Sequence, residues 1–165
     1  MVDKQQIVTE YEPLAKNYGL PDFEKLNSEF EIYNSFMQVE TKPEFLLRNI
    51  RRRMVDRFYT WINYLHNFIY ANQQSLILMN EFQQFSEEEK QEIIMIVNKI
   101  MFINRLSLKL EVTQEESEDA HFIKKYFEEW KKIKQQLEKI TSKNIEGWQK
   151  SLTEKAEKSK DFFSF

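Results

Sequence analysis

Arginine side chains are concentrated in one short stretch of this chain. Five of the six arginines lie between residues 48 and 57, whereas the eighteen lysines are scattered elsewhere. A guanidinium is a planar, permanently charged donor that fits carboxylate and phosphate oxygens. The local preference therefore predicts a specific anionic partner for this stretch, which contains Arg48, Arg51, Arg52, Arg53 and Arg57.

A helical projection assigns these arginines to different faces. With Leu47 and Leu65 at the centre of the buried stripe, Arg51 falls almost within that stripe and Arg57 at its rim. We expect Arg51 to have a structural role, because an arginine at a core boundary either extends its charge to solvent or pairs with a carboxylate. The carboxylates proposed as partners are Glu24, Glu29, Glu31 and Glu81.

Arg48 and Arg52 share a side of the helix with Tyr59, His66 and Tyr70, and Arg53 lies across the polar face beside them. Such a strip can hold phosphates while its tyrosines stack or form hydrogen bonds, as in nucleic-acid grooves. The favoured alternative is a solvated face with internal ion pairs, such as Glu44 with Arg48. The candidate surface for an anion or a partner consists of Arg48, Arg52, Arg53, Tyr59, His66 and Tyr70.

Signals for catalysis or metal binding are weak. The two histidines, His66 and His121, are not spaced as a zinc-binding pair, and two glycines leave no phosphate-binding loop. The acidic run from Glu87 to Glu92 is interpreted as compensation of a helix dipole. We therefore predict a non-enzyme without catalytic, cofactor-binding or metal-binding residues.

Composition limits the class of partner and the compartment. A net charge of −3 gives no global attraction to nucleic acid or anionic lipid. The absence of cysteine and of an apolar leader segment favours the cytoplasm. The uncharged stretch from residue 58 to 80 is interrupted by asparagine and glutamine, so we predict no membrane span.

Helices are the elements that must position these residues. Few glycines and prolines, together with helical spacing of apolar residues, predict an all-α bundle of five to six helices. Capping-box pairs predict the starts of three helices near residues 42–71, 87–111 and 114–156. The capping-box pairs are Thr41 with Glu44, Ser86 with Glu89, and Thr113 with Glu116. We expect the last of the three helices either to project beyond the bundle or to bend near Asn144 to Gly147.

The helix at residues 87–111 is apolar on two sides. One stripe contains five β-branched residues, and Met95, Phe102 and Leu106 lie roughly opposite to it. Such a helix is either central in its own domain, which is the favoured interpretation, or shares one side with a partner. The first stripe consists of Ile93, Ile96, Val97, Ile100 and Ile103.

Three phenylalanines, Phe162, Phe163 and Phe165, lie within residues 161–165, after a highly charged run. We predict that residues 1–160 form one α-helical domain and that residues 161–165 form a tail that docks in apolar surroundings. The tail docks on its own domain or in a pocket of a partner.

These observations favour a non-catalytic helical interaction or scaffold protein. Its partner is another protein or a second copy, bound through the second face of the 87–111 helix or through the C-terminal helix. The alternative is a protein associated with nucleic acid or ribonucleoprotein that binds phosphates through the Arg48–Arg57 helix. An enzyme with an unrecognised site ranks third, and no cofactor or small-molecule substrate is inferred.

Overall fold

The computed structural model describes residues 4–36, 45–69 and 76–162, which form seven α-helices and no strand. The predicted all-α bundle is confirmed. The helix count is higher than five to six because the chain after Pro21 forms two short helices, separated by Glu31 in a left-handed conformation (φ 53°). The helices are α1 (Lys4–Tyr18), α2 (Phe23–Phe30), α3 (Ile32–Phe36), α4 (Leu46–Ile69), α5 (Leu76–Gln83), α6 (Glu87–Thr113) and α7 (Glu116–Phe162).

Two of the three predicted capping boxes fall on described residues. Ser86 and Glu89 form theirs: the amide of Glu89 donates to the Ser86 hydroxyl at 3.2 Å, and the amide of Ser86 donates to the Glu89 carboxylate at 2.7 Å. The pair of Thr113 with Glu116 is wrong, because Thr113 is the last residue of α6 and Gln114 forms the left-handed C-cap. The Thr113 hydroxyl instead donates to a carboxylate oxygen of Glu118. Thr41 and Glu44 lie outside the described residues.

Helix α4 is the framework of the bundle and packs against both α6 and α7. Phe58 on α4 meets Trp130 on α7 edge to face, with ring centroids 5.2 Å apart, and Phe30 on α2 lies 5.5 Å from the same ring. Such aromatic pairs stabilise the fold by more than the burial of their apolar surface alone. The apolar residues of α4 that are buried are Leu46, Leu47, Ile50, Met54, Phe58, Ile62 and Leu65.

Helix α7 contains 47 residues and is therefore about 70 Å long. It continues through Asn144 and Gly147 without interruption. Asn144 is its last buried side chain among those described, and residues 145–153 are exposed or half-buried. The helix passes Gly147 beside Gln84, whose side-chain amide fills the space that a Cβ at position 147 would need.

Candidate interaction surfaces

Arg51 lies at the centre of a hydrogen-bond network that joins three helices. Its side chain is 0% exposed. The Nε atom donates to Oδ1 of Asp119 at 2.5 Å, and Nη2 donates to Oε1 of Glu111 at 2.8 Å. The Nη1 atom donates to the hydroxyl and to the carbonyl of Ser107. One guanidinium thus connects α4 to the end of α6 and the start of α7, as its predicted structural role requires.

The partners predicted for Arg51 are wrong, because the turn between α6 and α7 crosses α4 at this residue. The four carboxylates proposed have other contacts. Glu24 pairs with Lys4, Glu29 accepts from Trp130 and Lys134, Glu31 pairs with Arg53 and Arg57, and Glu81 accepts from Trp148.

Arg48 and Arg52 bind the same turn from the side. Arg52 donates to both carboxylate oxygens of Glu111, at 2.8 and 2.5 Å, in a bidentate pair. Arg48 donates from Nη2 to the carbonyl of Gln114 at 3.1 Å, and its guanidinium carbon lies 5.0 Å from the ring centroid of Phe45. Both guanidiniums are therefore engaged within the chain, although the side chain of Arg52 stays 51% exposed.

Arg53 and Arg57 bind the turn between α2 and α3. Arg53 donates from Nε to the carbonyl of Phe30 at 3.0 Å and from Nη2 to Glu31 at 3.3 Å. Arg57 lies 3.9 Å from the other carboxylate oxygen of Glu31. Because the C-terminal carbonyls of a helix have no partner inside the helix, cations are favoured at such a turn.

The carboxylates of the Arg51 network differ in proton affinity. Hydrogen bonds from Arg52 lower the pKa of Glu111 from 4.5 to about 2, against the opposing effect of burial. Burial raises the pKa of Asp119 even though Arg51 donates to it. Glu111 is thus the firmly ionised member of the network, held by two arginines.

The other members of the candidate anion surface do not gather around a common ligand position. Tyr59 is 43% exposed and lies two helical turns after Arg52, and His66 is exposed two turns further on. Tyr70 lies outside the described residues. Arg48 and Arg52 donate to the end of α6 and the residue after it, whereas Arg53 donates to the turn between α2 and α3, so their charges do not converge. Phosphate binding stays a prediction.

The predicted docking tail is described only at its start. Phe162 is the last residue of α7, so the helix includes the first two residues of the segment 161–165. Phe163 and Phe165 lie outside the described residues. Docking of the tail stays a prediction.

A groove of about 340 Å³ lies between α6 and α7. Leu106 and Phe122 contribute to its apolar lining, and His121 and Lys125 line it with exposed side chains. This volume is at the lower end of the range for small-molecule sites. The full lining consists of Leu106, Leu110, Ser117, Glu118, His121, Phe122, Lys125 and Tyr126.

Helix α6 exposes large apolar side chains on the side opposite its buried stripe. Met95 is 68% exposed and Phe102 is 62% exposed, whereas Ile96 and Ile100 are buried. The favoured prediction, that α6 is enclosed by its own domain, is therefore wrong on this side. Leu106, the third member of the predicted second stripe, is half-buried against the groove.

Charged residues continue this exposed line in both directions. Glu88 precedes Met95 by seven residues and Lys109 follows Phe102 by seven, and both are exposed. Within the described parts of the chain, no ion pair engages either side chain. We refer to Glu88, Met95, Phe102 and Lys109 as the outer face of α6. Sequence analysis did not predict the charged ends of this line, although counting seven residues in each direction from Met95 and Phe102 locates them.

Within the described ranges 4–36, 45–69 and 76–162, no group of three or more histidine, aspartate or glutamate side chains is placed to hold a metal ion. None of the helices described there is both long and apolar enough to cross a bilayer.

The chain is thus an all-α helical bundle in which arginine side chains of α4 form hydrogen bonds to neighbouring segments and α6 exposes large apolar side chains. No protein-family model, curated protein or solved structure matches this chain.

Proposed function

We propose that this chain is a non-catalytic interaction protein that binds another protein chain through the outer face of α6. The observation that carries the proposal is the exposure of Met95 and Phe102 on a helix whose opposite side is core. Single exposed apolar residues are ordinary on protein surfaces. Two large ones in the same line, on an ordered helix of 27 residues, are typical of a contact surface.

The binding energy of such a surface comes mainly from the buried apolar anchors. Phe102 supplies a rigid aromatic ring, and Met95 supplies a flexible side chain that adapts to its neighbour. Glu88 and Lys109 at the two ends fix direction and register, since charges contribute more to specificity than to affinity. The face thus combines apolar anchors with a polar rim, as protein interfaces do.

The phosphate-binding alternative has less support. Arg48, Arg52 and Arg53 each donate to a carboxylate or a backbone carbonyl of the same chain. Binding a phosphate would require these contacts to break. Glu111 and Asp119 also lie beside two of the guanidiniums and would repel an incoming anion.

Photo-crosslinking of the full chain in the cells that make it tests the proposal. The photoreactive residue p-benzoylphenylalanine replaces Phe102, and in a control it replaces Tyr59, an exposed aromatic on α4. We expect light-dependent covalent adducts with a protein from position 102 and none from position 59. Equal adducts from both positions, or none from 102, would contradict a binding role for this face.

A further inference from the structure

The outer face of α6 has the spacing of a helix-pairing seam. Its four residues recur every seven positions, from Glu88 through Met95 and Phe102 to Lys109. Residues at this interval stay on one side when two helices wind around each other with a left-handed supercoil. All four side chains are exposed, so a second helix can pack against the outer face of α6 along about 30 Å.

Along the outer face of α6 the four side chains are, in order, acidic, apolar, apolar and basic. When a second α6 lies antiparallel to the first, around a two-fold axis between Asn98 and Lys99, Met95 lies opposite Phe102 and Glu88 lies opposite Lys109. We propose that the protein bound by this face is a second copy of the chain, with the two α6 helices antiparallel. This inference rests on the proposed function and names its partner.

The pairing is isologous, which means that each contact occurs twice around a two-fold axis. Met95 of each copy packs on Phe102 of the other, and Glu88 of each copy meets Lys109 of the other. A parallel pair would instead bring Glu88 against Glu88 and Lys109 against Lys109, and such contacts between like charges are unfavourable. The charges therefore select the antiparallel direction.

Neighbouring charged residues further favour the antiparallel over the parallel direction. Glu88 and Glu92 have like charges four residues apart, and so have Arg105 and Lys109. Such pairs destabilise an isolated helix by a few tenths of a kcal/mol. In the antiparallel pair the acidic end of one α6 lies beside the basic end of the other, which relieves the repulsion at both ends.

The helix dipole alone does not account for this face. It favours acids at the start of a helix and bases at the end, which agrees with the positions of Glu88 and Lys109. It gives no reason for Met95 and Phe102 to be exposed between them. Pairing with a second copy explains the charges and the apolar residues together.

Sedimentation equilibrium of the full chain tests the inference with charge-reversed variants. One helix pair makes a small interface, so we expect a dissociation constant on the order of 10–100 µM. Glu88→Lys and Lys109→Glu each place like charges in contact, and each should weaken dimerisation at least tenfold. A 1:1 mixture of the two variants restores both ion pairs and should dimerise about as well as the wild type.

Lys139→Glu is the matched control. Lys139 is exposed on α7, away from the four residues of the outer face, so the same reversal of charge there should leave the dissociation constant unchanged. A wild-type chain that is monomeric at several hundred micromolar, or a mixture that stays monomeric, would overturn the inference. Crosslinks from position 102 to a different protein, with a monomeric chain, would overturn it while supporting the proposed function.

Discussion

Arg51 on α4 donates its Nε hydrogen to Asp119 on α7, with both side chains buried in the bundle. The remaining nitrogens of the guanidinium donate to Ser107 and Glu111, so each nitrogen of the buried cation has a hydrogen-bond partner. A lysine has a single nitrogen and lacks the planar fork that reaches all three residues. The geometry therefore explains why an arginine occupies this core position.

Replacement of Arg51 should be strongly destabilising. Arg51→Met removes one side of a buried pair and leaves the Asp119 carboxylate without its main donor, so we expect a loss of about 3–5 kcal/mol in the free energy of unfolding. Arg52→Gln is the control, because its guanidinium is half exposed and its pair with Glu111 should contribute about 1 kcal/mol or less. Urea denaturation of the three proteins measures both differences.

The double variant Arg51→Met, Asp119→Leu separates loss of the pair from loss of packing. We expect it to be more stable than Arg51→Met alone, because no buried charge is then left without its partner. A double variant that is less stable than the single variant would show that the charges are not the dominant contribution of this contact.

The stability of the bundle should depend on pH through Glu111. Its pKa is lowered from 4.5 to about 2 in the folded state, so its contribution is present above pH 4.5 and is lost as the pH falls toward 2. Glu111→Gln should cost about 1 kcal/mol at neutral pH, after allowance for solvent screening, and progressively less between pH 4.5 and 2.

Chemical denaturation of wild type and Glu111→Gln across this pH range measures the difference directly. The comparison also includes a smaller change at Asp119, because the charge of Glu111 adds to the rise in the pKa of Asp119 that burial mainly causes. If the difference in unfolding free energy between wild type and Glu111→Gln does not change between pH 4.5 and 2, the ion pairs assigned to Glu111 are excluded.

The contact between Gly147 and Gln84 predicts a coupled effect. Alanine is favoured over glycine inside a helix by about 1 kcal/mol. In a Gln84→Ala background, Gly147→Ala should therefore stabilise the protein by about that amount. In the wild-type background the gain should be smaller, because the amide of Gln84 must leave its place against the helix. Equal gains in the two backgrounds, measured by urea denaturation, would mean that Gln84 does not occupy this space.

The internal engagement of the arginines predicts weak affinity for nucleic acid. We expect no binding of labelled RNA or DNA to the full chain at micromolar concentration in 50 mM salt, a condition that favours phosphate contacts. Fluorescence anisotropy measures this. Binding that falls steeply with rising salt and is lost in Arg52→Gln would instead favour the phosphate-binding alternative.

The sequence was informative where local periodicity determines the structure. The projection that placed Arg51 among apolar residues was correct, because burial on a helix follows from its 3.6-residue repeat. Its partners Ser107, Glu111 and Asp119 could not be predicted in this way. They depend on which turn of the chain crosses α4, and this is decided by packing between helices distant in sequence.

The C-terminal end of α6 also could not be predicted from the sequence. The spacing of Thr113 and Glu116 fits a capping box, yet α6 includes Thr113 and ends at the left-handed Gln114. Helix ends are uncertain from sequence because several residues nearby can serve as caps. The second apolar stripe of α6 was recognised from the sequence, but whether the domain buries it depends on packing between helices, and the structure leaves Met95 and Phe102 exposed.

A distance measurement between two copies tests the antiparallel pairing of α6 most directly. The chain contains no cysteine, so a single nitroxide label can be attached at Asn98→Cys or at Gln91→Cys, both exposed positions of α6. Helix geometry predicts backbone separations of about 10 Å between the two copies at position 98 and about 24 Å at position 91. Continuous-wave and pulsed electron paramagnetic resonance should find this increase between the two positions. Equal distances at the two positions, or no dipolar coupling at either, would contradict the pairing.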